Sequence, residues 1–336
     1  MPDTFSQAFV TGGTGFVGSH LVEELLARGT PVRALVRSEP KWLARIQPPP
    51  GLSLEHVRGD LHDADAVRRG LEGAGLVVHV AGLTRARDQE TLDRANVEGT
   101  RVVLEAARDA GVGRVVVTSS LEALGPNDLE DGRPVPATET DPLRPISMYG
   151  VSKARMEDLV RRDFSDLEVT VVRPPAVYGP READLFEMVK GASRGLFPVV
   201  GDATVPRLSL VYVEDLVRGM ADLAEHEDAR SETYFVGSPG YSWAEVRAAL
   251  EAALGRRTLR VAVPAPLILA AGALAERVGE RLGRLPPLTH DKAEAARHAW
   301  VCDSSKAREA VGYGLEIGLA EGWARTVGWY RAEGWL

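Results

Sequence analysis

Cysteine is nearly absent from this 336-residue chain, which contains only Cys302. One cysteine cannot form a disulfide within the chain, so we expect a reducing compartment, the cytoplasm. The longest apolar stretch, Pro264 to Ala275, is too short to cross a bilayer. The amino terminus also lacks the basic start and apolar core of a signal peptide. These absences predict a cytoplasmic protein with no membrane span.

Positive charge is outnumbered by negative charge, with 40 Lys and Arg against 48 Asp and Glu. The net charge of −8 argues against binding nucleic acid, because neutralising phosphates needs a surplus of Lys and Arg. Most of the positive charge is arginine, and the lysines are Lys41, Lys153, Lys190, Lys292 and Lys306. A lysine that falls on a catalytic spacing is therefore informative.

The first half of the chain alternates short β-branched runs with helix-period segments. This alternation predicts right-handed βαβ units and a parallel sheet covered by helices on both faces. The predicted strands are Ala8–Thr11, Val32–Val36, Leu54–Val57, Leu76–Val80, Val115–Thr118 and Val169–Val172. The predicted helices are Gly18–Ala27, Asp65–Leu71, Leu92–Ala110 and Tyr149–Arg162.

After residue 178 helical patterns outnumber strands, and Arg207–Val213 and Tyr234–Val236 are the strand-like exceptions. We expect these two segments to return to the main sheet. The prediction is an α/β protein: a Rossmann doubly wound parallel sheet with a smaller, mostly helical C-terminal substrate lobe. Residues 1–178, with a return at 207–237, form the dinucleotide-binding domain. Residues 179–206 and 238–336 form the substrate lobe, with a ligand cleft between the two.

A glycine-rich loop follows the first strand directly and opens a helix. Gly12, Gly15 and Gly18 are spaced as GxxGxxG within TGGTGFVGSH. Such a loop brings main-chain N–H groups and a helix N-terminus close to a pyrophosphate. The context therefore predicts a dinucleotide site whose first contacts are Gly12, Thr14, Gly15, Phe16, Val17 and Gly18.

The end of the second strand bears on cofactor choice. A carboxylate there would bind both ribose hydroxyls, but Val36 occupies that place and Arg37 follows it. A guanidinium can pair with a 2′-phosphate, so NADP is favoured, with NAD as the alternative. Further expected cofactor contacts lie at the ends of the next strands: Asp60, Leu61, Ala81, Gly82 and Thr118.

A tyrosine and a lysine lie four residues apart on a predicted helix. Tyr149 and Lys153 of SMYGVSK share one helix face. An ammonium near a phenol favours the phenolate, so we expect the pKa of Tyr149 to be lowered toward the working range of a general acid or base. A buried strand, RVVVTSS, ends at Ser120 on the sheet edge where ligands bind.

At these motifs the chain resembles the extended short-chain dehydrogenase/reductase family, also called the NAD(P)-dependent epimerase/dehydratase family. The resemblance covers nearly the whole chain. It is carried by TGGTGFVG, GDL, HVAG, ANVEGT, VTSS, YGVSK, RPPAVYGP and DSSKAREAVGY. It implies that Ser120 hydrogen-bonds the reacting oxygen, that Tyr149 transfers the proton, and that Lys153 holds the nicotinamide ribose.

The resemblance assigns three further residues. Asn96 of ANVEGT matches an asparagine that orders the site and a proton-relay water. Pro174 and Val177 of RPPAVYGP match residues that place the nicotinamide ring.

Three branches of the family compete. Dehydratases carry an adjacent Asp-Glu pair after the catalytic hydroxyl, whereas this chain has Ser120-Leu121-Glu122, which disfavours that branch. Nucleotide-sugar epimerases carry an arginine before a strand, a role that Arg207 could fill. TSSLEALGPND, PPLTHDKA and AWVCDSSKA most resemble 3β-hydroxysteroid dehydrogenases, sterol-type dehydrogenases and dihydroflavonol reductases.

We therefore expect an oxidoreductase that interconverts a secondary alcohol and a ketone on a largely apolar small molecule, with an epimerase as the alternative. Leu121, Glu122 and Arg207 are the candidate substrate contacts. A binding-only NADP-dependent regulator is disfavoured because the Tyr149 and Lys153 pair is intact.

The resemblance also predicts a homodimer, with Leu92–Ala110 and Tyr149–Arg162 at a four-helix interface. The candidate apolar contacts are Val103, Leu104, Ala107, Met156 and Leu159.

Overall fold

The computed structural model describes residues 5–283, 286 and 288–336. Within these residues the strands are β1 (Ala8–Thr11), β2 (Val32–Val36), β3 (Leu54–Arg58), β4 (Leu76–His79), β5 (Val115–Thr118), β6 (Leu129–Glu130), β7 (Arg133–Pro134), β8 (Val169–Arg173), β9 (Ala176–Tyr178), β10 (Leu196–Val199), β11 (Pro206–Leu208), β12 (Leu210–Tyr212), β13 (Thr233–Phe235), β14 (Tyr241–Ser242) and β15 (Leu259–Ala262).

The helices of the same residues are α1 (Phe16–Ala27), α2 (Ala64–Leu71), α3 (Gln89–Asp93), α4 (Gly99–Asp109), α5 (Met148–Asp163), α6 (Phe186–Ser193), α7 (Val213–Glu225), α8 (Trp243–Leu254), α9 (Ala265–Leu282), α10 (His290–Ala295), α11 (Ser305–Val311) and α12 (Leu319–Ala332). No helix in this described part of the chain combines the length and apolar character needed to cross a membrane.

Seven strands form one parallel sheet in the order β13-β8-β5-β4-β1-β2-β3. The chain starts in the middle at β1, winds outward through β2 and β3, and then crosses back to β4. Ala8 of β1 pairs with Val32 on one side and with Leu76 on the other. The strand order therefore reverses at β1 and β4, and in open α/β sheets ligands bind at the carboxyl ends of the strands at such a point. The predicted Rossmann fold class is confirmed.

Apolar helix faces cover both sides of this sheet. On one side α1 and α7 bury residues such as Leu21, Leu25 and Met220 against β1 and β4. On the other side α2, α4 and α5 bury Val67, Leu104 and their neighbours. Burying sheet and helices in this way removes large apolar areas from water, at roughly 25 cal/mol per Å². The strand ends are thereby held rigidly in place.

A third apolar cluster holds the C-terminal elements together. Trp323 and Tyr330 of α12 are fully buried and pack with residues of α6 and α8. Tyr178 of β9 stacks on Trp323 with ring centroids 4.7 Å apart. This contact joins the C-terminal elements to the strand that follows the main sheet.

Two predicted elements differ in the structure. The helix predicted over Leu92–Ala110 is interrupted by a π-helical turn at Arg94–Glu98, which separates α3 from α4. Of the two segments expected to return to the sheet, β13 pairs in parallel with β8. The segment Arg207–Val213 does not join it, because β11 pairs with β14 and β12 pairs with β9 in separate two-stranded sheets.

The residues expected at a dimer interface lie inside a single chain. They are at most 2% exposed and pack against the sheet: Val103, Leu104, Ala107, Met156 and Leu159. Their helical spacing is that of a core face, and the core face of α4 and α5 turns toward the sheet. The outward faces carry charge instead, including the pairs Arg101–Asp163 and Arg108–Asp166. The expectation that these five side chains form the interface was wrong.

Candidate active site

The candidate catalytic side chains meet at the carboxyl edge of the sheet. Ser120 follows β5 and caps a short 3-10 turn, with its Oγ accepting from the Glu122 N–H at 3.1 Å. Tyr149 is the second residue of α5, and Lys153 lies one turn further along. The structure therefore brings the three predicted residues together from two separate elements.

The start of α5 is fixed by side chains on both sides of Tyr149. Ser147 caps the helix by accepting the Gly150 N–H at 2.9 Å, and its hydroxyl donates to Glu122 Oε2 at 2.7 Å. The Met148 N–H donates to Asp291 Oδ2 at 2.9 Å. Caps of this kind satisfy donors that the first helical turn cannot pair internally. They also hold the Tyr149 backbone between the 3-10 turn and α10.

Lys153 is buried beneath Tyr149. Its Nζ donates to the Thr118 carbonyl at 2.7 Å and lies 6.0 Å from the centroid of the Tyr149 ring. Burial lowers the pKa of Lys153 to about 8, and the charge of Glu157 opposes that shift. One of the three ammonium protons is used by Thr118, so two others are available for a ligand.

The pKa of Tyr149 is raised, which is the opposite of the expected direction. Burial is the largest cause, the negative charge of Glu122 adds to it, and a hydrogen bond with Ser120 opposes both. The charge of Lys153 was expected to lower this pKa, but the loss of water around the buried phenolate dominates instead. Tyr149 is therefore a protonated phenol at neutral pH, the state in which it can donate.

A buried ion pair supports the lysine. Arg173 donates to both oxygens of Glu157, at 2.9 Å and 2.6 Å, and both side chains are almost fully buried. The Ser119 hydroxyl also donates to Glu157 Oε1. These donors compensate the buried carboxylate of Glu157, which lies near Lys153. The pair ties the end of β8 to α5.

The π-helical turn presents Asn96 to the site. Asn96 Oδ1 accepts the Leu83 N–H at 2.8 Å, and its Nδ2 donates to the Leu83 carbonyl at 2.9 Å and to Ser152 Oγ at 2.8 Å. Ser152 Oγ in turn donates to the Tyr149 carbonyl at 2.7 Å. Asn96 thus joins the loop after β4 to the helix that carries Tyr149. π-Helical turns within α-helices are frequent at functional sites.

A chain of hydrogen bonds that the sequence did not reveal runs below this site. His79 Nδ1 lies 2.7 Å from Thr11 Oγ1, and its Nε2 lies 2.9 Å from Thr100 Oγ1. The Thr100 hydroxyl donates to the Asn96 carbonyl at 2.7 Å. Since that proton is used, Nε2 must be the donor to Thr100, and Nδ1 accepts from Thr11.

This tautomer requires a neutral imidazole. Burial, and next the charge of Lys153, lower the pKa of His79 to about 3, so the ring is neutral in ordinary buffers. The chain links the end of β1, where the glycine loop begins, to the turn that holds Asn96. His79 stands in the HVAG motif, but only the fold shows that threonines flank it.

The glycine loop fits a dinucleotide pyrophosphate. Gly12 has φ +74, and a Cβ there would lie 2.6 Å from the Ala81 nitrogen. A Cβ on Gly18 would lie 2.2 Å from the Gly12 carbonyl oxygen. Within the described residues no side chain caps the start of α1, and its first turn holds no acidic residue. The N–H groups of Phe16, Val17 and Gly18 therefore point to a place where an anion can accept them.

The other predicted cofactor residues surround the same sheet edge. Val36 is buried at the end of β2, and Arg37 is exposed just beyond it. Asp60 is exposed after β3, and Leu61 packs against Gly99 of α4. Val177 lies in β9, and the remaining residues lie at or beyond the ends of β1, β4, β5 and β8: Thr14, Gly15, Ala81, Gly82, Thr118 and Pro174.

A cavity of about 400 Å³ opens beside Tyr149. Its lining mixes apolar and charged side chains from the loop after β4, the start of α5, and α9 and α10: Thr84, Arg85, Ala86, Arg87, Leu92, Glu122, Ser147, Met148, Tyr149, Glu276, Pro286, Thr289, His290, Asp291, Lys292 and Ala295.

The three candidate substrate residues are placed differently in relation to this cavity. Glu122 lines it, and burial raises the pKa of its carboxyl group. Leu121 instead packs in an apolar cluster with Ala123 and Phe235. Arg207 lies in β11 and is not among the lining residues in the described part of the chain.

The α9 and α10 wall of the cavity was missed at the level of sequence. His290, Asp291 and Lys292 belong to THDKA, a stretch that was singled out only as a family-like pattern. Their closeness to Tyr149 depends on packing between residues some 140 positions apart, as in the bond from Met148 to Asp291.

The chain is similar to known proteins over nearly its whole length. A model of the NAD dependent epimerase/dehydratase family matches residues 8–237. A ceramide reductase of Caulobacter vibrioides is 33% identical over 97% of this chain and 95% of its own length. The sterol demethylase protein B of Methylococcus capsulatus is 32% identical over 97% of this chain and 99% of its own.

A solved structure has the same fold. It is the dTDP-glucose 4,6-dehydratase DesIV of Streptomyces venezuelae, which holds bound NAD. It superposes with a TM-score of 0.74 at 28% identity and covers 98% of each chain.

Proposed function

Because the chain belongs to the NAD dependent epimerase/dehydratase family, we propose that it interconverts a secondary alcohol and a ketone on a largely apolar small molecule. It is an enzyme of the extended short-chain dehydrogenase/reductase type, whose relatives include reductases and dehydratases. A nicotinamide cofactor, when bound, supplies or accepts the hydride. The protein's part is to bind, orient and protonate.

The proton step follows from the positions of two hydroxyls. In the reducing direction Tyr149 Oη donates its proton to the carbonyl oxygen, while the Ser120 hydroxyl donates a hydrogen bond to the same oxygen. The carbonyl carbon gains the hydride and its oxygen gains the proton, so the ketone becomes an alcohol. Tyr149 is left as a phenolate, stabilised by the Lys153 ammonium until solvent reprotonates it.

The observation that carries this proposal is the residue next to Ser120. Leu121 packs in an apolar cluster, so no acid lies between Ser120 and Glu122 to protonate a leaving hydroxyl. Tyr149 and Ser120 supply a proton and a hydrogen bond at the reacting oxygen, which suits hydride transfer. Glu122 lines the same cavity, but the position before it, where elimination would need a further acid, is the apolar Leu121. The names of the ceramide reductase and the sterol demethylase protein support an apolar substrate.

The direct test is oxidation of NADPH by the purified protein with a panel of ketones. The panel runs from small polar ketones to long-chain and polycyclic ones. We expect turnover to favour the apolar members. If no ketone is reduced and no matching alcohol is oxidised, the proposal fails.

A second candidate, nucleotide-sugar epimerisation, is supported by one observation. The Nε of Arg207 is buried and has no hydrogen-bond partner within the described residues. An uncompensated guanidinium N–H is a place where a diphosphate oxygen can accept. Incubation with UDP-glucose and NAD, followed by NMR of the sugar, tests it. Appearance of the 4-epimer without any ketone reduction would favour the epimerase.

For the cofactor we propose a preference for NADP over NAD. Val36 fills the position where a carboxylate would repel a 2′-phosphate, and within the described residues Arg37 forms no ion pair. Arg58 of β3 lies close by, since its guanidinium donates to the Ser38 carbonyl. The two arginines make this end of the sheet locally positive.

Arg37→Ala is expected to weaken NADP binding by about ten- to a hundredfold, because an ionic hydrogen-bonded pair contributes ~1.5–3 kcal/mol. NAD binding should barely change, since NAD lacks the 2′-phosphate. Titration calorimetry with both cofactors measures this. Arg162→Ala, on the outward face of α5, is the matched control. Tighter binding of NAD than of NADP by the unmodified protein would contradict the preference.

We also propose, from the family resemblance, that the chain forms a homodimer. With the apolar faces of α4 and α5 buried, any contact through these helices must use their charged outward faces. Such a dimer should weaken at high salt, because surface charges are screened over a Debye length of ~10 Å at 0.1 M. Light scattering at low and high salt measures it. A monomeric mass at micromolar concentration and low salt would contradict the proposal that the chain forms a homodimer.

A further inference from the structure

We propose that one face of α9 docks the protein onto an anionic lipid membrane. The face consists of Leu267, Leu274, Val278 and Leu282, and we refer to it as the apolar α9 face. Each of these side chains is between 46% and 69% exposed. The inference does not depend on which substrate the enzyme takes.

The spacing of these residues makes one continuous stripe. They follow one another at intervals of seven, four and four positions, so they lie on one side of a helix with 3.6 residues per turn. Glu276 lies on the opposite side of α9 and lines the cavity beside Tyr149. α9 therefore separates the cavity from the apolar stripe.

The exposed apolar surface is concentrated around this helix. Among the described residues, eleven large hydrophobic side chains are exposed, and seven of them lie on α9 or on the strand pair β10 and β15. The other three of the seven are Leu196 of β10 and Leu259 and Val261 of β15, which pair in a two-stranded sheet. β15 ends at Ala262, three residues before α9 begins. Isolated exposed leucines need no explanation, but a gathered patch indicates an interaction site.

The charge beside the patch has the sign of a membrane-binding surface. Residues 255–283 contain five arginines and two glutamates, a local charge of +3 in a chain whose net charge is −8. Arg277 and Arg281 are exposed along one edge of the apolar α9 face, and Arg260 is exposed on β15. Exposed arginines beside leucines are the pattern of interfacial helices that lie in the plane of an anionic membrane.

A second copy of this chain fits the patch less well. A two-fold interface brings the same surface of each subunit together, so the arginine fringe would face another arginine fringe. Like charges across an interface oppose association. Lipid phosphates instead supply the opposite charge, and acyl chains supply the apolar partner.

The experiment is co-sedimentation of the full-length protein with vesicles, without substrate or cofactor. The two compositions are phosphatidylcholine alone and phosphatidylcholine with phosphatidylglycerol. We expect binding to the anionic vesicles and weak binding to the neutral ones. The double variant Leu274→Glu with Val278→Glu should reduce the affinity for anionic vesicles at least ~tenfold. It removes two apolar side chains that would enter the membrane, and it adds negative charge.

Arg277→Gln with Arg281→Gln should reduce binding to the anionic vesicles only, by ~tenfold, and high salt should mimic it. Leu129→Glu is the matched control, an equally exposed leucine on the β6–β7 hairpin far along the chain from α9. Circular dichroism of each variant checks that it stays folded.

Three results would overturn the proposal. The first is no binding of the unmodified protein to anionic vesicles, and the second is binding that the Leu274 and Val278 double variant leaves unchanged. The third is a dimer of the unmodified protein that becomes a monomer in this variant, which would mean that a second copy of the chain covers the face. Because vesicle binding is scored without turnover, its failure is separate from failure of the proposed reductase activity.

Discussion

Tyr149→Phe is expected to lower the turnover of ketone reduction by ~10²–10⁴-fold, which is the usual contribution of a general acid. The variant keeps the aromatic ring, its packing and the start of α5. It removes only the hydroxyl group, whose raised pKa keeps it protonated in the unmodified protein. Affinity for the cofactor should stay near that of the unmodified protein, because the proposed role of the Tyr149 hydroxyl is to give its proton to the substrate oxygen and not to bind the cofactor. Steady-state kinetics with calorimetric cofactor binding measures both.

The molecule offers a matched control for this variant. Tyr234 of β13 also has a lysine above its ring, with Lys306 Nζ 4.8 Å from the centroid, but it is not among the residues that line the cavity. Tyr234→Phe should leave turnover within a few-fold of the unmodified enzyme. Near-normal turnover by Tyr149→Phe on an authentic substrate would contradict the assignment of Tyr149 as the general acid. Another group in the cavity would then have to be the proton donor.

Lys153→Met is expected to damage both turnover and cofactor affinity. The ammonium stabilises the Tyr149 phenolate and holds the ribose in this proposal, and its loss also leaves the Thr118 carbonyl without its buried donor. Losing a charged hydrogen-bonding partner in a buried site costs ~2–5 kcal/mol. Lys306→Met is the control, because it removes the other lysine that sits over a tyrosine.

The pH profile separates Lys153 from Tyr149. The pKa of Tyr149 is raised out of the working range, whereas that of Lys153 is lowered to about 8. The lysine is therefore charged below about 8 and loses its proton first as pH rises, so reduction should slow through that range. Lys153→Arg should retain whatever activity it has to higher pH, because a guanidinium does not deprotonate there. A rate of reduction that stays constant from about pH 7 to about pH 10 in the unmodified enzyme would contradict this role.

Much of the sheet and the catalytic set follow from local sequence. Buried parallel strands are runs of β-branched residues, and the strands Ala8–Thr11, Val32–Val36 and Val115–Thr118 have the predicted bounds. Tyr149 and Lys153 could be paired from their spacing alone, because four residues make one helical turn. Ser120 joins them because parallel strands end at one edge of the sheet.

What escaped prediction depends on long-range packing. Apolar periodicity in α4 and α5 indicates a buried face, but not whether the sheet or a partner buries it. Leu104 and Met156 turned out to face the sheet. Desolvation is likewise a property of the folded surroundings, so the direction of the Tyr149 pKa could not be derived from Lys153 alone. The partners of β11 and β12 are set by tertiary contacts between short strands of low periodicity.

The π-helical turn at Arg94–Glu98 has a consequence for engineering the enzyme. A π turn holds one more residue than a regular α-helical turn, because its hydrogen bonds join residues five positions apart, and it is rare in proteins. Deleting a residue there would give α3 and α4 one continuous and more stable helix. It would also rotate Asn96 away from Leu83 and Ser152, which it now joins. A change that raises thermostability at residues 94–98 is therefore expected to lower turnover. Design by consensus or by helix propensity should leave these residues unchanged.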